Sequence, residues 1–320
     1  MKKFLTLCTF FVLCFSAVSW SGEKPLRLLY WNIQNGMWAG QEDSYDAFVA
    51  WVKDRRPDIC VWCEAETLYE TGTNCKLPES SRFLPEGWKK LARRYGHRYV
   101  YIGGHRDSYP QVITSRRPIR NVARIIGSEP DSLVVHGAGW ARLRFRGKTL
   151  NIVALHTCPM SCDFRLKHAP KEAQKADAAN HGGDRYRRME VEYICSHTVL
   201  TSHDAAKEYW LMMGDFNSVS RLDNSFYRYP EDDLRFLTHD YILGSTPYID
   251  VVHEKNRGAF HRSAQSDTRI DFIYATPALM DKVAGACIVE DGYTTPVRSA
   301  EVHNFFRPSD HLPILIDFSL

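Results

Sequence analysis

The sequence lacks the marks of several protein classes. No internal repeat, coiled-coil heptad, low-complexity tract or Pro/Gly/Ser-rich linker runs through its 320 residues, which excludes solenoids, fibrous chains and strings of tethered modules. Charge of one sign is not in excess: 41 Lys and Arg face 38 Asp and Glu, a formal net charge of +3. A surface this near neutral argues against a protein whose main business is following nucleic acid through its phosphates, although a local basic patch stays compatible with it. Cysteine is sparse, nine in the whole chain, so this is no disulfide-dense scaffold. Cys60 and Cys63 form a CxxC inside an apolar run with no second pair, the pattern of core cysteines and not of a zinc site. Cys158 and Cys162 flank "PMS" at a spacing that permits a bridge. There is no phosphate-cradling P-loop and no G-x-S-x-G elbow.

What is present suffices for a large core, with 44% hydrophobic and 12% aromatic residues. The first stretch carries Lys2 and Lys3, then an apolar run short for a bilayer span, then "AVS". That is the layout of a secretory signal peptide over residues 1–21, and it predicts an exported, periplasmic or extracellular protein. A lipid anchor on Cys14 is the alternative, opposed by the bulk of Leu13 just before it. Loss of the two lysines leaves a mature charge of about +1.

Residues 22–320 read as one domain. "LRLLYWNI" predicts a first strand, "DSYDAFVAWVKDRRP" a helix closed by Pro57, and "DICVWCE" a second strand. "EGWKKLARRYG" predicts another helix. The runs "RYVYIG", "QVITS", "IRNVARI", "SLVVHG", "GWARLRFRG" and "KTLNIVALH" predict short strands at antiparallel spacing. A polar insertion follows over about 157–184, then a helix in "RYRRMEVEYICSHTVLTSH" and strands in "YWLMMGDFNS", "TRIDFIYA", "VAGACIVED" and "LPILIDFS". Early alternation of helix and strand with a strand-rich middle points to an α/β fold of two stacked sheets with helices outside.

Several of these strands end in polar groups: Asn32, Glu64, His156, Asp215 with Asn217, Asp271, and Asp310 with His311. In "GDFN", Asp215 and Asn217 are two apart and would share one face of a strand. Each taken alone also fits a turn or a solvated strand end. Asp271 is harder to dismiss, because a carboxylate between Ile270 and Phe272 must find a partner. Taken together, oxygen ligands such as Glu64, Asp310 and the Asn32 amide suit Mg²⁺, or Mn²⁺ in its place, and two histidines suit acid–base work at phosphorus. The chemistry indicated is metal-assisted attack of water on a phosphoester.

With "WNIQNG", the glutamate of "DICVWCE", the histidine of "VALHT", "GDFN", "RIDFIY" and "SDH" in this order, the chain resembles the endonuclease/exonuclease/phosphatase superfamily, whose pancreatic-type deoxyribonucleases are one branch. The resemblance runs from about Leu26 to Phe318. It implies a four-layer α-β-β-α sandwich, two largely antiparallel mixed sheets face to face, with Mg²⁺ held at the sheet edges. It also implies roles. Glu64 looks like the main metal ligand, with Asn32 and Asp310 beside it. Asp215 would position or deprotonate the water, and Asn217 would hold a phosphoryl oxygen. His311 paired with Asp271, and His156, would serve as the acid–base pair. The chain departs from the family pattern at Cys63, where glutamine is usual, and at Leu155, where threonine is usual; Glu66 shares a face with Glu64 and is an alternative ligand.

The substrate stays open among a small phosphate ester, a phospholipid headgroup and nucleic acid, and no obligate protein partner is indicated. Arg165, Lys167, Lys171 and Lys175 of the insertion either bind a second anion or form a solvated face. A non-catalytic binding protein on the same fold is the competing reading.

Overall fold

The run LRLLYWN is apolar at nearly every position because its strand is covered on both faces. Leu26, Leu28 and Tyr30 pack into a central core, while Leu29 and Trp31 pack into a second, outer one. The computed structural model describes residues 24–320 apart from 38–42, 69, 71–74, 83–86, 106–108, 128–132 and 301–304. The expected signal peptide lies outside these residues.

In chain order the strands are β1 (Leu26–Asn32), β2 (Ile59–Cys63), β3 (Tyr99–Gly103), β4 (Gln111–Ser115), β5 (Ile119–Ile125), β6 (Ala138–Phe145), β7 (Lys148–His156), β8 (Tyr209–Asp215), β9 (Ile249–Asp250), β10 (Asp271–Ala275), β11 (Val283–Ile288), β12 (Val297–Arg298), β13 (Phe306–Arg307) and β14 (Ile314–Phe318). One six-stranded sheet has the order β11-β14-β1-β2-β4-β3 and the other β5-β6-β7-β8-β10-β9; β12 and β13 form a separate two-stranded ribbon. The pairs β1/β2 and β7/β8 are parallel, and the remaining pairs are antiparallel.

The sheets share one apolar layer, to which β1, β2 and β14 contribute from one side and β6, β7, β8 and β10 from the other. Outside the first sheet, helices Asp46–Arg55 and Trp88–Arg94 bring Phe48, Trp51 and Trp88 against Trp31 and Trp62. Outside the second, helices Gly182–Ser196 and Leu237–Ser245 bring Val191, Ile194 and Ile242 against Trp140, Trp210 and Tyr274. The result is the expected four-layer sandwich. Cys60 and Cys63 lie in different cores, on opposite faces of β2, so the CxxC is packing and not a pair. No helix among the described residues is long and apolar enough to cross a membrane.

One local expectation changes. "SLVVHG" is a loop and not a strand: among its described residues, the Val135 N–H is taken by buried Glu190 Oε1 at 2.9 Å, and Gly137 turns through a φ of 72°. The insertion contains the helix Lys171–Ala179.

Two buried histidines brace the layers. His97 bridges Thr114 Oγ1 at 2.8 Å and the Pro57 carbonyl at 3.0 Å. His239 bridges Tyr274 Oη at 2.6 Å and the Ser218 carbonyl at 3.1 Å. Burial holds the first down to about 4 and the second to about 3, so both are neutral at pH 7. Because folding depresses these values, their stabilisation is complete above the ordinary histidine range near 6.5 and drains away as pH falls below it. Urea unfolding should therefore lose about 2 kcal/mol per histidine between pH 6.5 and 5, and His97→Gln should remove its share of that slope. An unchanged slope in the variant would contradict this assignment.

Candidate functional site

The inner faces of the strands decide where polar side chains meet. Along β8, Leu211 and Met213 point into the shared core, so Asp215 continues the same row. Ile152 and Ala154 lead to His156 on β7, Leu28 and Tyr30 lead to Asn32 on β1, and on antiparallel β10 the row Ala275, Ile273 leads back to Asp271. Register brings the ends together: His156 is opposite Asp215, and Asp271 is opposite Asp215 from the other side. Glu64 follows Cys63, an inner-face residue, and would point outward if the strand continued. Instead its backbone turns into the left-handed region at φ 53°, an unusual conformation for a glutamate.

Asp215 is the hub. Asn32 Nδ2 donates to its Oδ2 at 3.1 Å, and the Nε2 atoms of His156 and His311 both lie 3.7 Å from that oxygen. Its Oδ1 accepts from the Asn217 N–H at 2.8 Å, which folds "GDFN" back on itself, while Asn217 Nδ2 donates to the Thr157 carbonyl at 3.1 Å. The glycine of that motif has a steric reason. A Cβ on Gly214 would meet the Leu155 carbonyl oxygen at 2.1 Å, so no side chain fits where β7 and β8 run side by side.

Asp271 is fully committed. It accepts from Tyr30 Oη at 2.7 Å, from Ser263 Oγ at 2.8 Å, and pairs with His311 Nδ1 at 2.7 Å. Burial works against charge on His311, but Asp271, Asp310 and Asp215 outweigh it and raise the imidazole well above its ordinary range. His156 goes the other way: burial, then the neighbouring His136 and His311, push it well below. Asp215 is raised by burial, with His311 opposing and Asp271 adding to the shift.

Glu64 Oε2 accepts from the Asn35 N–H at 2.8 Å and its Oε1 lies 3.3 Å from Asn32 Nδ2. Burial and the charge of Asp310 raise Glu64, and burial raises Asp310. Asp310 Oδ1 is closed off from solvent with no hydrogen bond, 3.8 Å from His311 Nε2. Two crowded carboxylates, one with an orphaned oxygen, form a donor set that a hard divalent cation fits. Ligand atoms of Glu64, His156 and Asp215 also lie within 4.8 Å of one another, as do those of Asp215, Asp271 and His311; neither Glu66 nor Asp310 belongs to these groups. Asn32, expected as an oxygen ligand, uses both ends of its amide locally. Its Oδ1 is taken by the Gln34 N–H at 3.1 Å, so the nitrogen of the amide faces the carboxylates.

Some participants were not anticipated. Tyr30 lies two residues before Asn32, and strand period alone puts it on the same face. Ser263 and His136 gave no comparable signal. The His136 ring stacks on His156 with centroids 4.2 Å apart, and Tyr109 stands edge-on to both. The insertion after His156 is clamped from below: buried Arg187 donates to the Cys158 and Met160 carbonyls and to Asp184, and Glu190 Oε2 accepts from the Cys158 N–H. Three of its cations are occupied locally. Arg165 pairs with Asp163, Lys167 sits over the Phe164 ring, and Lys171 reaches Gln174. Cys158 and Cys162 are buried separate thiols.

Gly214→Ala should force β7 and β8 apart, costing roughly 1–3 kcal/mol of stability in thermal or urea unfolding. Unchanged stability would show that the Leu155 carbonyl yields without strain.

The model of the Endonuclease/Exonuclease/phosphatase family matches residues 29–311. No curated protein matches the sequence. Among solved structures, an AP endonuclease from Archaeoglobus fulgidus is similar over 92% of this chain and 100% of its own, at 17% identity and a TM-score of 0.58. A 3′ phosphatase from Neisseria, solved bound to product DNA hairpin, covers the same shares at 15% identity and 0.55. A mannosyl-6-phosphatase of Bacteroides thetaiotaomicron does so at 16% and 0.55. These likenesses are of fold.

Proposed function

The chain belongs to the endonuclease/exonuclease/phosphatase family, hydrolases of phosphoester bonds, and from that premise we propose an exported, Mg²⁺-dependent phosphoesterase that uses an activated water. The observation that carries the reading is the convergence of Asn32, His156, Asp271 and His311 on the single carboxylate of Asp215. Export rests on the N-terminal pattern of lysines, apolar run and "AVS". The hydrolase assignment displaces the non-catalytic alternative.

Glu64 and Asp310 would hold the cation, which when bound supplies positive charge to a phosphoryl oxygen. Mn²⁺ suits the same oxygen donors. Asn32 holds the Glu64 and Asp215 carboxylates apart by donating to both, which keeps their free lone pairs aimed into the site. Asp215 takes the role of positioning and deprotonating the water. Asn217 has one amide hydrogen committed to Thr157 and offers the other to a phosphoryl oxygen. His311, its Nδ1 held by Asp271, presents Nε2–H to the phosphoryl group or the leaving oxygen. His156, braced by His136, stays neutral beside them as the second member of the pair.

The names of the similar structures, an AP endonuclease on one side and a 3′ phosphatase and a mannosyl-6-phosphatase on the other, span diester and monoester cleavage. A matched panel of a phosphomonoester, a phosphodiester, plasmid DNA and sphingomyelin therefore tests class and reaction together. Hydrolysis of one class should require Mg²⁺, stop with chelator, and fall by at least a hundredfold in Asp215→Ala with melting temperature preserved. Full activity in a folded Asp215→Ala variant would overturn the assignment.

A further inference from the structure

The end of the second sheet farthest from the site carries an unusual arrangement of charge. On the outer face, Arg120 of β5 stands directly opposite Arg142 of β6, and Arg144 lies two residues further along β6 on the same face. Lys148 begins β7 across the adjoining turn, in register with Phe145 and so on the opposite face of the sheet, at its open end, where it borders the same groove as Arg142. Like charges placed directly opposite across a ladder destabilise a sheet, and sequence selection normally avoids them. Arg120, Arg144 and Lys148 are exposed, and Arg142 is half-buried, braced over the Trp140 ring at 4.7 Å and hydrogen-bonded to Asn151 Oδ1 at 2.8 Å. The neighbouring ion pairs join Lys207 to Asp204 and Arg116 to Asp58. Among the described residues, the three arginines of the ladder and Lys148 take part in no ion pair.

The surface is also concave. A groove of 610 Å³ bounded by Arg142, Lys148, Lys207 and Lys282 adjoins a second of 540 Å³ bounded by Arg120, Arg142 and Arg144, and both share Arg142 and Thr149. Glu208 and Asp281 are the acids on the first groove, and Glu208 is engaged by Trp210 Nε1 at 2.7 Å. None of the large exposed apolar side chains among the described residues lies on either groove, so nothing there would enter a bilayer.

We infer that this double groove binds the phosphate backbone of a nucleic acid strand, as a tether separate from the catalytic centre. Cations about 5 Å apart across strands and about 7 Å apart along them are too many and too spread for one phosphate, whereas a chain of repeating phosphates meets several at once. The one aromatic among the lining residues, Tyr209, is half-buried against the core, so the contact offered is chiefly to backbone and not to bases. The nine-residue β7 separates Lys148 from His156 by about 25 Å, so the tether does not share the catalytic subsite. This inference does not depend on which ester the catalytic centre cleaves.

The test is fluorescence anisotropy of a labelled 20-nucleotide single-stranded DNA with the full chain in chelator, across a salt series. Two variants are compared, Arg120→Gln/Arg142→Gln/Arg144→Gln and Arg120→Gln/Arg144→Gln/Lys148→Gln, the second leaving the Arg142–Trp140 contact intact. Each should bind at least tenfold more weakly, with the slope of log K against log salt shallower by about 2. Both should keep wild-type hydrolysis of whichever small substrate the wild type turns over, and the second should keep a melting temperature equal to or above wild type. No DNA binding by the wild type, undiminished binding in the folded second variant, or sedimentation with phosphatidylglycerol vesicles in place of DNA binding would each overturn the proposal.

Discussion

The apolar layer between the two sheets is the constraint on which the site depends. Tyr30, Ala154, Met213 and Ile273 point into it, and because strand side chains alternate, the residues two positions along must point the same way. Asn32, His156, Asp215 and Asp271 are those residues. A one-residue slip in any of these strands would turn its polar end toward the helices and bury the wrong side of the run, so the core enforces the site's geometry as strictly as its own. The close approach at Gly214 adds a second lock, because β7 and β8 carry two of the four groups and admit no Cβ between them.

The price of that arrangement is a concentration of buried acid at one edge. Asp271 is made stable by three donors, and Asp215 by a backbone N–H and an amide. Glu64 has a backbone N–H and a more distant amide, Asp310 keeps one oxygen with no hydrogen bond, and the repulsion between them is what a divalent cation would relieve. Nearby, Arg269 shows the other solution to buried charge. It is nearly inaccessible, lies between Asp223 and Asp250 with contacts of 2.7 to 3.0 Å, and stands two residues before Asp271, where it anchors the entry to β10. Acid gathered at one end of the strands and unpaired arginine at the other make the second sheet electrically polar along its length.

Much of this was legible in the sequence, for reasons that can be named. Apolar runs covered on both faces stand out, and a carboxylate at the end of one is conspicuous, so Glu64, Asp215 and Asp271 announced themselves together with the two-sheet fold. The ordered series from "WNIQNG" to "SDH" added the family. What was illegible depends on contacts between distant segments. Whether Asn32 offers oxygen or nitrogen is decided by the Gln34 N–H, and the loop at Val135 exists because Glu190, far along the chain, takes its N–H. Composition averaged away the arginine ladder, because a near-neutral chain says nothing about which cations a β-register sets opposite one another.

The central claim is that Glu64 and Asp310 hold a divalent cation next to the Asp215 hub. Crystals soaked in Mn²⁺ and measured at its absorption edge test it directly. The account predicts an anomalous peak within about 2.5 Å of the carboxylate oxygens of Glu64 and Asp310, absent in Glu64→Gln. A peak lodged elsewhere, or one that persists undiminished in that variant, would contradict it.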